Sequence, residues 1–320
     1  MSSPIVFKPL YMERVWGGRG LEEKLNRSLP ADKLIGESWE VVDRPEAQSI
    51  ILSAPYTDLT IRELLLNHGG TVMGPTYDSE KPFPILIKWL DCQEKLSLQV
   101  HPPAQVAKQL KGEPKIENWY IADTEKGSEM MVGLKKGVTR ETFEAGLKNN
   151  ELEPLIHKPT VEPGDSIFVW SGRIHAIGGG NFILEIQQNS DTTYRFYDWG
   201  RLGLDGKPRD LHVEESMESI DFDDFDDFEP EPQRNTQAGD TLADCNEFRI
   251  RKEKVGVGIR LNFPDTTQPV LISVVEGTIE VQGRDRSHFR KGDTFLLPYQ
   301  GDFEVTSLDT AELLITDHFA

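Results

Sequence analysis

Cysteine is nearly absent: Cys92 and Cys245 are the only two in 320 residues. Two thiols so far apart make no disulfide framework, so a small cross-linked secreted scaffold is excluded, and reduced thiols in a cytoplasmic setting are expected. No apolar run approaches the ~18–20 residues that a bilayer span needs, so no transmembrane helix is expected. The opening stretch, Met1 to Lys8, lacks the apolar core of a secretory signal. Positive charge is also short, with 35 Lys and Arg against 54 Asp and Glu and a net charge of -19. That balance argues against general nucleic-acid binding, which requires a basic face. It also means that an anionic substrate must be met by a few locally placed cations against the field of the whole chain.

What the chain does carry is a set of metal-capable side chains. The segment Ser97-Leu98-Gln99-Val100-His101 alternates strictly. A strand has period two, so Leu96, Leu98 and Val100 share one face and Ser97, Gln99 and His101 share the other. A polar row in so apolar a neighbourhood costs kilocalories unless it has a partner. A divalent metal held by His101, Glu117 and His175, with Gln99 as a fourth candidate, supplies one. His175 precedes Gly178-Gly179-Gly180, glycines that let the backbone turn sharply beside a ligand. The other histidines, His68, His157, His212, His288 and His318, are expected to be structural or solvated.

Farther along, Glu185 and Gln187 share a strand face, and Asp191 and Arg195 follow at its end. A surface strand ending in a polar turn is the plain reading. The functional one is a carboxylate pair and a guanidinium lining a cavity, because the arginine fork suits a phosphate or a developing oxyanion. Lys88 interrupts the apolar strand from Pro84 to Leu90, where a charge is costly without a partner. Lys115 stands two residues before Glu117.

Leu59 to His68 reads as a helix, with Thr60 and Glu63 as a capping box and Gly69-Gly70 as its stop. A second helical patch covers about residues 139–156. From Val161 onward, short strands are separated by Gly, Pro and Asp, an all-β signal. Glu162-Pro163-Gly164-Asp165 leads into the apolar stretch from Ser166 to Trp170, and Arg290-Lys291-Gly292-Asp293 leads into Thr294 to Pro298. This self-similarity suggests two related β-units. His175 stands eleven residues after Gly164, and the same offset from Gly292 gives Phe303, so only the first unit is expected to hold a metal. Val274 to Val281 is expected to form a hairpin turning at Glu276-Gly277. Between the units, seven of the twelve residues from Asp221 to Pro232 are acidic, which predicts a solvated linker that Phe222, Phe225 and Phe228 could pin to a domain surface.

Gly164-Asp165, four residues, Trp170-Ser171-Gly172, two residues and His175 resemble the second cupin motif. Gln99-Val100-His101 resembles the first, with Gln in place of its leading His. Over nearly its whole length the chain resembles the type I mannose-6-phosphate isomerases (phosphomannose isomerases) of the short bacterial kind. Arg14-Val15-Trp16-Gly17-Gly18, Gly36-Glu37-Ser38-Trp39, Leu96 to Pro102, Lys115 to Ile121, Ile174 to Gly178, Glu185 to Arg195 and Arg209 to Val213 carry the resemblance.

The resemblance implies one zinc ion per chain on Gln99, His101, Glu117 and His175. It implies catalytic roles for Arg195, Lys115, Glu185 and Asp191, and a substrate pocket lined by Trp16, Glu37, Lys88 and Ser97. The partner is a small sugar phosphate, with neither nucleic acid nor membrane. The fold expected is mainly β, with two cupin-like β-barrel or jelly-roll domains. The catalytic domain is placed at residues 1–235, with helical insertions at about 55–80 and 139–156, and a metal-free domain at 236–320. One departure concerns the residues after the first ligand histidine. The family usually has Pro-Asp-Asp or similar there, and this chain has Pro102-Pro103-Ala104, which leaves the ligands intact and bears on the loop at the pocket entrance.

The implied reaction interconverts mannose 6-phosphate and fructose 6-phosphate by moving a proton between C1 and C2 through an enediol. It needs a Lewis acid, a proton shuttle and a cation that grips the remote phosphate. Lys115, Glu185 and Asp191 are the shuttle candidates, and Lys115 as a base would need a lowered pKa. Arg195 and Lys88 compete for the phosphate, and Arg195 also suits the enediolate. A cupin that only senses sugar phosphates, and an iron-dependent oxygenase, fit the same ligands; a Gln ligand with phosphate-ready Lys and Arg favours the isomerase.

Overall fold

The computed structural model describes residues 2–225, 233, 239–264 and 267–320. It divides into two compact units: residues 11–38 with 89–234, and residues 1–10 and 39–88 with 235–320. Among the described residues, no helix is long and apolar enough to cross a membrane.

In the first unit the strand expected around Gln99 is present as Leu98–Val100. It sits inside a four-stranded sheet ordered Tyr194–Tyr197, Leu98–Val100, His175–Ile177, Met130–Val132. The alternation sorts Leu98 and Val100 as the sequence requires, but Leu96, expected on their face, precedes the strand and packs against the other cluster. Leu98, Val100, Ala176 and Phe196 join one apolar cluster with Phe143 and with Leu147, Val213 and Met217 of the helices Arg140–Asn149 and Val213–Ser219. Ile177, Val132 and Met130 enter another cluster, together with Trp119, Ile121, Ile167 and Ile183. These last four lie on the antiparallel strands Ser166–Val169, Glu117–Thr124 and Asn181–Gln188, part of a six-stranded sheet. Two sheets therefore enclose an apolar interior. Ser97, Gln99, His101 and His175 project into it from one side, and Glu117, Glu185 and Gln187 from the other. The linker's Phe222 and Phe225 pack partly buried against the first cluster, while the residues from Asp226 to Pro232, Phe228 among them, lie outside the described residues.

In the second unit, one sheet runs Ile5–Val6, Thr294–Leu297, Val270–Glu276, Ala311–Asp317, Arg249–Val255, Asp240–Asp244. The other runs Arg260–Phe263, Phe303–Ser307, Thr278–Gln282, Arg286–Arg290. Val270, Ile272, Phe295, Leu313 and Ile315 of the first share one core with Ile279, Val281, Phe289, Phe303 and Val305 of the second.

Two local expectations are corrected. Val270–Glu276 and Thr278–Gln282 do not pair as a hairpin, because they belong to different sheets. Gly277 carries the chain from one sheet to the other at φ 80°, where a Cβ would lie 2.4 Å from the carbonyl oxygen of Thr310. The second concerns the helix after Thr60. Its capping box is present, but the helix does not stop at Gly69-Gly70: its regular turn breaks at His68 and resumes to Val72. A Cβ at Gly69 would lie 2.0 Å from the Ser79 hydroxyl, which would have to rotate away.

Candidate metal centre

Strand register places the ligand candidates. On the central strand Leu98–Val100, Gln99 stands opposite His175 on one side and Arg195 on the other. Residues paired this way project to the same face, so one row reads Arg195, Gln99, His175. On the facing sheet, Glu117 stands opposite Val169 and Gln187, and Trp119 opposite Glu185. Glu117, His101 and His175 are fully buried, and one ligand atom from each lies within 4.8 Å of the others. Glu117 Oε2 is 3.3 Å from His101 Nε2, and its Oε1 is 3.6 Å from His175 Nε2. The imidazole centroids are 4.6 Å apart.

The histidine tautomers follow from elementary hydrogen bonding. His101 Nδ1 lies 2.9 Å from the carbonyl of Thr192, and His175 Nδ1 lies 2.8 Å from the carbonyl of Arg173. A carbonyl only accepts, so each Nδ1 carries the proton and each Nε2 presents a lone pair. Burial, then the nearby Lys115 charge, lowers the His101 pKa to about 3, and burial lowers that of His175. Both rings are neutral. Burial opposes ionisation of Glu117, but the Lys115 charge overrides it and holds the carboxyl well below its usual range. Two lone pairs and one carboxylate thus converge; His101 Nε2 and Glu117 Oε1 have no hydrogen-bond partner, while Glu117 Oε2 faces the Lys115 ammonium at 2.8 Å. Unsatisfied buried groups cost roughly 1–3 kcal/mol each. A divalent cation removes that cost, and two imidazoles held through Nδ1 by carbonyls are a recurrent metal-ligand arrangement. Gln99 stands at the same point, its Nε2 3.2 Å from His175 Nε2. The two ends of an amide are exchanged by a half-turn, and its oxygen suits a cation.

Lys115 is buried beside this set, its Nζ 2.8 Å from Glu117 Oε2 and 4.0 Å from Glu185 Oε1. Burial pushes its pKa down, but Glu117 and Glu185 together raise it. Two carboxylates face it and favour its protonated form. Glu185 accepts a 3.2 Å bond from Trp119 Nε1. Asp191 is exposed, with its charge acting on both Lys115 and Arg14. Glu37 is clamped by Arg14 through two bonds of 2.8 and 3.0 Å. Trp16 is buried in the apolar cluster with Trp119.

Arg195 donates from Nε to Ser97 Oγ at 3.2 Å and from Nη1 to the carbonyl of Asp210 at 3.1 Å. Among the described residues it has no carboxylate partner. Burial lowers its pKa, and Arg209 and Arg201 add to the lowering. Those two arginines are gathered by one buried carboxylate: Asp198 accepts from Arg209 at 2.7 and 2.6 Å and from Arg201 at 2.8 Å. Asp198 and Asp210 act on Arg195 in the opposite sense, so three arginines gather here among a few carboxylates. Lys88 lies in the other unit, buried, with its ammonium 5.2 Å from the centre of the Trp39 ring.

The sequence named the ligand candidates but assigned no role to Arg14, Asp198, Arg201 or Arg209. Arg14 and Arg209 fall within the segments that carried the resemblance, which was the available signal. The carbonyls of Thr192 and Arg173 have no side-chain signature and were beyond sequence reasoning.

Comparison with known proteins gives a consistent picture. A family model, phosphomannose isomerase type I, catalytic domain, matches residues 5–144. The mannose-6-phosphate isomerase ManA of Bacillus subtilis (strain 168) is 36% identical over 319 residues, which is 95% of this chain and 96% of that protein. The mannose-6-phosphate isomerase of Streptococcus mutans serotype c is 30% identical over 323 residues, which is 98% of this chain and 100% of that one. A crystal structure of the mannose 6-phosphate isomerase from Bacillus subtilis matches with a TM-score of 0.88 at 29% identity, covering 98% of this chain and 99% of its own.

Proposed function

The chain belongs to the type I mannose-6-phosphate isomerase family, and we propose that its buried His101, Glu117 and His175, with the half-buried Gln99, hold one zinc ion and that the protein interconverts mannose 6-phosphate and fructose 6-phosphate. The observation that carries the reading is the convergence of two imidazole Nε2 atoms and one carboxylate, of which His101 Nε2 and Glu117 Oε1 are buried without a hydrogen-bond partner. When bound, a divalent zinc ion supplies Lewis acidity to a sugar oxygen at C1 or C2.

The remaining work falls to side chains. Arg195 takes the substrate phosphate: a guanidinium with no carboxylate of its own, beside Arg209 and Arg201, is a receptor for a dianion. Phosphate binding energy spent there orients the sugar toward the ligand set. Lys115, which keeps its proton, donates toward the oxygen that gains charge in the enediol. Glu185, a buried carboxylate 4.0 Å from Lys115, moves the proton between C1 and C2. Glu37, held by Arg14, and Trp16 line the sugar pocket, with Ser97 steadying Arg195. These residues all belong to the unit of residues 11–38 and 89–234, and the unit that includes residues 235–320 serves as a metal-free companion. Both cysteines are free, which suits a reducing cytoplasm.

A coupled assay for fructose 6-phosphate, run before chelation, after it and after zinc is restored, tests the reading. Activity should vanish and return. Turnover that survives complete metal removal sinks the Lewis-acid assignment, and tight sugar-phosphate binding with no turnover makes the protein a sensor. Arg195→Ala should lower kcat/KM by roughly a hundredfold or more, the loss of about 3 kcal/mol from a charge-assisted contact, with zinc content unchanged. Loss of zinc from that variant would mark Arg195 as structural.

A further inference from the structure

Gln187 lies directly opposite Glu117 in the ladder of the Glu117–Thr124 and Asn181–Gln188 strands. Opposed residues share a face, so its fully buried side chain shares the interior with the ligand carboxylate. Its Nε2 donates to two carbonyls, those of Gln188 and Ser190, each at 2.7 Å. Carbonyls cannot donate, so the orientation of the amide is fixed: reversed, Oε1 would face both carbonyls and both bonds would be lost.

These two bonds fold the turn that follows back onto its own strand. In the same turn, Ser190 N donates to the Gln188 carbonyl at 2.7 Å and Thr192 N donates to Ser190 Oγ at 3.3 Å. Thr192 Oγ1 accepts from Glu113 N at 3.0 Å. What the network fixes is the position of one atom, the Thr192 carbonyl oxygen, which sets the His101 tautomer from 2.9 Å. The arrangement has a cost. Gln187 Oε1 is left buried with no hydrogen-bond partner, worth roughly 1–3 kcal/mol. An apolar side chain at this position, like Ile183 on the same strand, would avoid that cost. The amide persists in spite of it, so its two donors have a use.

We propose that Gln187 is a positioning residue for the metal centre, holding the turn of residues 188–192 so that the Thr192 carbonyl keeps His101 Nε2 free to ligate. The inference rests on the metal-centre reading above. Gln187→Met keeps the length of the side chain and removes both donors. It should weaken zinc binding by roughly tenfold to a hundredfold, the range found when a group orienting a metal ligand is removed, as measured by competition with a chromophoric chelator. In the metal-free protein, ¹⁵N signals of His101 should report only the Nδ1–H form in the parent and a tautomer mixture in the variant.

Zinc affinity within about twofold of the parent, with an unchanged His101 spectrum, overturns the proposal even if Tm falls, because Gln187 would then only brace a turn. Should Gln187→Met fail to fold, Ser190→Ala removes the Thr192 bond in the same network and should shift zinc affinity in the same direction; an unchanged affinity there also counts against it. A parent chain that binds no divalent ion defeats the metal-centre reading itself, a different outcome from a variant that binds as well as the parent.

Discussion

In the turn before Ser166, the amide of Glu162 donates to Asp165 Oδ2 at 2.9 Å; in the turn before Thr294, the amide of Arg290 donates to Asp293 Oδ2 at 2.9 Å. Gly164 and Gly292 hold φ of 92° and 95°, and each donates a 2.8 Å backbone bond, to Ile121 and Val274 respectively. The strands that follow pair in the same register. Ser166 to Val169 run against Tyr120 back to Glu117, and Thr294 to Leu297 run against Ser273 back to Val270. Val270 therefore occupies the position of Glu117, and Phe303 the position of His175 by its offset from the glycine. In the second unit both are buried within one apolar cluster. Turn and ladder do not specify a metal centre. Two side chains at fixed register positions separate a candidate site from a core, and each choice is consistent with its surroundings: candidate ligands facing one another in one unit, packed methyl groups and rings in the other.

The sharpest way to break this comparison is to remove the charge that distinguishes the first unit. Glu117→Gln keeps shape and loses the anion. It should cost at least a thousandfold in kcat/KM, about 4 kcal/mol at ~1.4 kcal/mol per tenfold, with zinc content falling in parallel by elemental analysis. A variant that keeps its zinc and its rate would leave Glu117 as a buried counter-ion of Lys115 and nothing more.

How much of this was open to sequence reasoning depended on whether the signal was periodic. The Ser97–His101 alternation, the Thr60–Glu63 cap and the Gly-Asp repeat are each encoded in side chains at fixed spacing, and all three are present. Register is not encoded that way. Val270–Glu276 and Thr278–Gln282 look like a hairpin because each alternates and a glycine separates them, yet only tertiary pairing decides whether neighbouring strands share a sheet. The sign of the Lys115 shift was hidden for a similar reason: burial alone lowers it, and the two carboxylates that reverse the effect come from different positions, one on a separate strand. Residues 1–10 and 39–88 cluster with the far end of the chain, a division set by long-range contacts that local sequence pattern does not carry.

A smaller effect is expected from the opposite exchange. Val270→Glu sets a carboxylate into the second unit's core without the histidines and lysine that surround Glu117. An unpaired buried charge should lower the unfolding free energy by about 3 kcal/mol, read as a drop in the denaturation midpoint that added zinc does not restore. An unmoved midpoint would show that position 270 tolerates an acid, and the register argument would lose its energetic half.

The smallest effect tests the shared turn itself. Asp165→Ala and Asp293→Ala each remove one side-chain acceptor from a backbone amide, a loss of about 1 kcal/mol. If the two turns do the same structural work, both variants should lower the unfolding free energy by similar amounts, and zinc affinity should change in neither. Asp165 lies ten residues before His175, whose orientation depends on the Arg173 carbonyl rather than on the turn. A tenfold loss of zinc affinity in Asp165→Ala would mean that strain at the turn reaches the ligand through the Ser166–Val169 strand. The two units would then differ in how tightly their common framework is coupled to what it holds, as well as in the side chains it carries.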